Sequence, residues 1–170
     1  AFASELGGSI KDRAEHIMIV DLERSDLGRV TQVGSVSVDE LMALERYATV
    51  FHLTSNIRGL RRKDRGLAQI LRATFPGGSI TGAPKVRAME IIEELEPTRR
   101  GCYTGAIGYF SFNGDFDLNL AIRTIVLNEG VASFQVGGGI VFDSTPEAEY
   151  QETLDKGVAL AKALGGIWPE

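Results

Sequence analysis

Two sets of carboxylates at helical spacing are the first residues that could do chemistry. Glu149, Glu152 and Lys156 stand at i, i+3 and i+7, which projects all three from one side of a helix, away from a Tyr150, Leu154, Val158 stripe. Asp12 and Glu15 repeat the i, i+3 pair near the start of the chain. Singly, such faces are ordinarily solvated and salt-bridged, and Asp12 also suits a capping role. Meeting across a cleft, they would suit a hard cation, because Mg²⁺ takes one or two carboxylates, keeps waters and accepts substrate oxygens.

Arg123 reads as a mid-strand arginine in phase with Asp117, Asn119 and Ala121 and opposite Leu118, Leu120 and Ile122. A charge in so apolar a segment is costly unless paired, and its planar fork suits a carboxylate, either a ligand's or a structural partner's. His52 falls on the polar side of an alternating strand, where a titratable imidazole could act as an acid or simply be satisfied by the fold. His16, followed by the apolar residues 17–20, reads as packed or hydrogen-bonded.

Two glycine-rich segments invite a nucleotide reading and fail its chemistry. Residues 77–82 have the span of a P-loop, but Ala83-Pro84-Lys85 follows instead of a Lys-Ser/Thr pair. Gly137-Gly138-Gly139-Ile140-Val141-Phe142 lacks the third glycine of a dinucleotide fingerprint and no helix follows at once. Free amides in either loop remain able to bind an anion.

The elements that must position these residues follow from the pattern. Ser9 and Asp12 mark the start of a helix that runs through Ala14, Ile17, Met18 and Leu22 to a stop near Gly28. Residues 50–57 alternate as a strand with Phe51, Leu53, Ser55 and Ile57 on one face. A short helix over residues 67–74 leads into the 75–83 loop, and Pro84 is placed to open a helix that buries Val86, Met89, Ile92 and Leu95. Residues 103–142 read as strands broken at Asn113-Gly114-Asp115 and Asn128-Glu129-Gly130. Thr145-Pro146-Glu147 opens a last helix with Tyr150, Leu154, Val158, Ala161 and Leu164 on one stripe, ended by Gly165-Gly166. Consecutive hairpins flanked by separate helices give an α+β chain with an antiparallel sheet.

With 170 residues, 44% apolar and 24% charged, the chain is expected to bury one core as one domain. A net charge of -5, with no basic run beyond residues 58–65, argues against a nucleic-acid surface, and no apolar run is long enough to span a membrane. The 58–65 stretch reads as a solvated loop. One cysteine, Cys102, excludes an internal disulfide and a multi-cysteine metal site and fits a reducing cytoplasm. The start at Ala1 without a methionine leads us to expect a piece of a longer protein.

Together these segments resemble the chorismate-binding family, which comprises anthranilate synthase component I, aminodeoxychorismate synthase component I, and the isochorismate and salicylate synthases. The resemblance lies in Asp12-Arg13-Ala14-Glu15-His16, in residues 20–27, in Phe51-His52-Leu53, in residues 76–88 and 103–109, in Ala121-Ile122-Arg123-Thr124 and in residues 137–152, spread over nearly the whole chain. The string from Gly77 to Lys85 looks more like the aminodeoxychorismate synthases, since anthranilate synthases more often carry Gly-Thr-Leu-Ser-Gly-Ala-Pro-Lys there. Ser25 stands where the family often has Asn, and Asp12 where Glu is frequent.

The resemblance implies an antiparallel sheet core with helices packed outside, incomplete here, the chain being the C-terminal portion of a catalytic domain. It implies Mg²⁺ held by Glu15 and Glu152, with Asp12 and Glu149 orienting the metal and its waters. Tyr103, Arg123, Gly137, Gly138, Gly139 and Lys156 would grip the carboxylates of chorismate, Ser79 would line the pocket, and His52 would stand near the departing ring hydroxyl. The reaction implied is amination of chorismate to 4-amino-4-deoxychorismate, in folate and 4-aminobenzoate synthesis, with ammonia from a glutamine amidotransferase subunit. The alternatives are anthranilate synthesis for tryptophan and a non-catalytic binding domain. The family's upstream half carries a Pro-Ile-Lys-Gly-Thr or Pro-Ile-Ala-Gly-Thr segment and a further acidic glutamate, which this sequence lacks, so the chain alone is expected to be inactive.

Overall fold

Residues 7–47, 50–142 and 144–168 are described by a computed structural model, in which the chain forms two compact units, Ala1–Leu95 and Glu96–Glu170.

The first unit opens with helix α1 (Ile10–Gly28), whose N-cap Ser9 accepts the Asp12 N–H at 3.2 Å, as the sequence predicts. Strands β1 (Ser37–Arg46) and β2 (Phe51–Arg58) pair antiparallel. Residues 41–46 hold Leu, Met, Ala and Glu, good helix formers, so β1 is set by pairing with β2 rather than by propensity. The ladder slips between Val38 and Glu40 and between Glu40 and Ala43, with Met42 left-handed at φ 55°. The chain leaving α1 pairs with the chain leaving β2: Gln32 N–H bonds the Leu60 carbonyl at 2.8 Å and Arg62 N–H bonds that of Val30 at 2.9 Å. Thus the basic stretch is partly paired rather than a bare loop.

Helix α2 spans Leu67–Thr74, a short helical turn α3 spans Gly78–Thr81, and helix α4 spans Lys85–Leu95. Pro84 stands just before α4, its carbonyl accepting the Ala88 N–H at 3.0 Å, one residue earlier than predicted. The expected burial along α4 is largely missing: Val86, Met89 and Leu95 are exposed and Ile92 is half-buried, because among the described residues the helix packs chiefly on the short α3.

The second unit holds two hairpins, β3 (Ala106–Phe110) with β4 (Phe116–Leu120) and β5 (Val126–Asn128) with β6 (Val131–Ser133), turned at the two predicted glycines, Gly114 and Gly130, both at positive φ. They form separate two-stranded sheets, and residues 134–142 are not a strand, so the continuous run expected from the sequence is broken. Every residue of β3 is exposed, including Ile107 and Tyr109. A lone hairpin is marginal without a further apolar surface against it.

Helix α5 (Pro146–Ala163) closes the unit. Its buried face is Glu149, Leu154, Gly157, Leu160 and Ala161, while Tyr150, Val158 and Leu164 of the predicted stripe are exposed. The cause is Trp168, which lies against Gly157, donates from Nε1 to the Leu154 carbonyl at 2.8 Å and stacks on Phe134 with centroids 5.1 Å apart. The tryptophan picks the glycine side of the helix, where a ring can approach the backbone.

Candidate functional site

The second unit gathers most of the candidate side chains. Thr145 caps α5 by accepting the Ala148 N–H at 3.4 Å, and Glu147 and Glu149 sit in the first turn, where the positive end of the helix dipole favours carboxylates. Glu149 is only 6% exposed; its Oε1 accepts the Ser144 hydroxyl at 2.5 Å, and Ser144 Oγ accepts the Val141 N–H at 3.0 Å. One turn further, Lys156 Nζ lies 2.5 Å from Glu152 Oε1. The three charged groups predicted to share a face do so.

The glycine run lies over that face. A Cβ at Gly138 would stand 3.3 Å from Glu149 Oε2, 3.7 Å from Lys156 Nζ and 3.8 Å from Glu152 Oε1. A Cβ at Gly137 would meet the Tyr103 hydroxyl at 2.9 Å, whereas one at Gly139 would meet nothing within 4 Å. A side chain at Gly137 would therefore displace the Tyr103 hydroxyl, while one at Gly138 would press on Glu149 and meet Lys156 and Glu152 at ordinary contact distance.

Tyr103 is held by a pair of residues that sequence reading missed. Arg100 lies 5.8 Å from its ring centroid, and Glu96 grips the same guanidinium through Nε at 2.9 Å and Nη2 at 2.6 Å. Their hydrogen bonds lower the Glu96 carboxyl and raise the Arg100 guanidinium from their ordinary pKa values. Burial raises the Tyr103 phenol, with the Arg100 charge opposing it, so the hydroxyl stays protonated and able to donate. The i, i+4 spacing of Glu96 and Arg100 was visible, but Pro97 between them argued against a helix.

Arg123 departs from expectation. It lies beyond the end of β4, at φ 51° and exposed, and Nη1 donates to the Lys156 carbonyl at 2.9 Å. The chain turns at Ala121 and Ile122, whose N–H groups bond the carbonyls of Gly105 and Leu120, so Arg123 is not a mid-strand charge needing a buried partner. It ties the site to α5 instead.

The remaining candidates belong to the first unit. Glu15 lies on α1 with Lys11 Nζ 3.6 Å away, and Asp12 stands at the capped first turn. His52 is exposed on β2, opposite Glu45, with its ring edge-on to Tyr47 at 5.5 Å. His16 is hydrogen-bonded as expected: Nε2 lies 2.6 Å from Ser55 Oγ, which also accepts the Met42 N–H at 2.9 Å, and burial lowers its pKa.

Ser79 donates its hydroxyl to Glu23 Oε1 at 2.5 Å. Its loop spends its amides internally: Gly78 N–H on Asp26 Oδ2 at 2.9 Å, Ile80 and Thr81 on the Gly77 carbonyl, and Gly82 on that of Gly78. The anion site expected of free amides is thereby reduced in this loop.

The donors present suit a hard cation, since every candidate ligand is a carboxylate. Among the described residues, no group of three or more His, Cys, Asp and Glu is gathered into a ready-made cage. Mg²⁺ needs none when waters and substrate complete its shell.

A model of chorismate binding enzymes matches residues 1–162. This chain belongs to that family. It is 55% identical over 164 residues to aminodeoxychorismate synthase component 1 of Bacillus subtilis, covering 96% of this chain and 35% of that protein. It is 51% identical to anthranilate synthase component 1 of Acetivibrio thermocellus, with 96% and 33% covered. The crystal structure of anthranilate synthase component I from Streptococcus pneumoniae superimposes with a TM-score of 0.82 at 47% identity, over 92% of this chain and 36% of that one. The family member thus spans about a third of the length of these relatives, and its mixed helices and small antiparallel sheets are part of their fold.

Proposed function

We propose that the protein carrying this chain aminates chorismate to 4-amino-4-deoxychorismate, in 4-aminobenzoate and folate synthesis, using ammonia delivered by a glutamine amidotransferase subunit. The observation that supports it is the convergence of Tyr103, Gly137, Gly138, Glu149, Glu152 and Lys156 in the second unit. A dianionic substrate needs donors and cations, and a divalent metal needs carboxylates, on one surface.

In this reading the protonated Tyr103 hydroxyl, the Gly137 to Gly139 amides and the Lys156 ammonium bind substrate carboxylate oxygens, and Arg123 adds guanidinium donors not used on the Lys156 carbonyl. Glu15 and Glu152 would hold Mg²⁺, which when bound offsets substrate charge and fixes the ring. Glu149, pinned by Ser144, and Asp12 would orient the metal and its waters. His52 would act near the departing hydroxyl, and Ser79 would line the pocket. The chain spans about a third of its relatives' length, so groups that complete the chemistry would lie outside these 170 residues, which alone would be inactive. A cytoplasmic setting is part of this reading, in keeping with the single cysteine, Cys102.

The anthranilate synthases at 51% and 47% identity favour a second reading, chorismate to anthranilate. Incubating the intact protein with chorismate, Mg²⁺ and ammonium and weighing the product separates the two. Aminodeoxychorismate supports the first, anthranilate the second, and no Mg²⁺ dependence removes the metal site. Inertness of the intact protein would leave a non-catalytic binding domain.

A further inference from the structure

We infer that Asp26 and Lys85 are positioning residues, an ion pair that clamps the 76–85 loop to α1 and so fixes where Ser79 is presented. The inference rests on the chorismate reading above for its kinetic consequence, not for the clamp itself.

Asp26 is 5% exposed, and its two carboxylate oxygens carry a full load. Lys85 Nζ lies 2.9 Å from both Oδ1 and Oδ2, and Oδ2 also accepts the Gly78 N–H at 2.9 Å. Lys85 reaches from the start of α4 and bonds the Ala73 carbonyl at 3.3 Å as well, so one ammonium ties α1, α2 and α4 together. Glycine at 78 eases this approach, since a Cβ there would stand 3.1 Å from Leu22 Cβ and 3.3 Å from Asp26 Oδ2, and both would have to give by a few tenths of an ångström.

A charged pair this enclosed adds little net stability, because desolvation offsets its attraction, whereas it holds geometry closely. What it holds is adjacent: Ser79 follows the pinned Gly78 amide, and its hydroxyl already bonds Glu23 one turn before Asp26. On α1, Glu15, Leu22 and Asp26 fall within about 40° of one another around the axis. The helix that carries the proposed metal ligand therefore carries the anchor of the Ser79 loop on the same face, and the two are set as one piece.

The test uses the intact protein and two readouts. By hydrogen exchange, Lys85→Met and Asp26→Asn should each speed exchange in peptides covering residues 76–84 by about tenfold, with β1 and β2 unchanged. Joining the two substitutions should restore part of the protection, since no unpaired buried charge remains. Unchanged exchange in both single variants overturns the clamp, whatever the enzyme assay shows.

In the assay, Lys85→Met should raise KM for chorismate about tenfold with kcat altered less than about twofold, and Ser79→Ala combined with it should show no further rise. KM effects that multiply, or an unchanged KM in Lys85→Met, overturn the positioning role. Should Lys85→Met fail to fold, the isosteric Asp26→Asn carries both arms. A wild-type protein that leaves chorismate untouched removes the functional reading, while exchange still decides the clamp.

Discussion

The two glycine segments make opposite use of their freedom. In the first unit, the 77–82 loop spends its amides on its own carbonyls and on Asp26, and Gly78 is small because a helix stands against it. In the second, Gly137 and Gly138 lie tight against a phenol and the Glu149 carboxylate, with the Glu152 carboxylate and the Lys156 ammonium in ordinary contact. The difference teaches that a glycine-rich string tells only that something comes close. What comes close decides whether the loop is an anchored scaffold or the floor of a charged surface.

The sharpest way to break this contrast is to disarm the charged surface. Glu152→Gln in the intact protein should lower turnover by more than about a hundredfold, and Glu149→Gln by about ten- to a hundredfold, read as kcat/KM at saturating Mg²⁺. Near-wild-type rates in both would mean that the carboxylates beside Gly138 serve the fold alone.

The scaffold side predicts stability instead. Asp26→Ala leaves Lys85 and the Gly78 amide unpaired and should cost about 3 kcal/mol in urea unfolding. A loss below about 0.5 kcal/mol, the range of ordinary surface changes, would put Asp26 in the same class as an exposed carboxylate.

Within the second segment the glycines should differ. Gly137→Ala should push the Tyr103 hydroxyl aside and raise KM about tenfold, while Gly139→Ala, with open space before it, should change KM less than about twofold. Equal effects would erase the distinction drawn from their surroundings.

The smallest effect concerns α1. Burial favours neutral His16 in the folded protein, so the unfolded chain binds more protons as pH falls through the ordinary value of 6.5. Stability should be fully present above that value and decline below it until the lowered folded pKa is passed. Urea midpoints measured across this range should lose that slope in His16→Gln.

Much of the first unit was legible because its signals are local: the Ser9 cap, the helix to Gly28, the alternation of β2 and the helix at Leu67–Thr74 each stand as read. The hairpin turns were legible for the same reason, Gly114 and Gly130 supplying the positive φ that such turns need. β1 was not, since Leu41, Met42, Ala43 and Leu44 favour a helix and only pairing makes them a strand. Nor was the buried side of α5, which Trp168 selects from outside the helix.

The family and the Glu149, Glu152, Lys156 face were thus in the sequence alone, since motif order and helical spacing survive without coordinates. Their companions were not. Ser144 beneath Glu149, Arg100 beside Tyr103, and Lys85 on Asp26, 59 positions away, are contacts between segments, and hydrogen bonds across such separations leave no period to read. Only tertiary structure decided which polar groups were spent on the fold and which stand over the glycines, because burial and partner distance are properties of packing rather than of residue type.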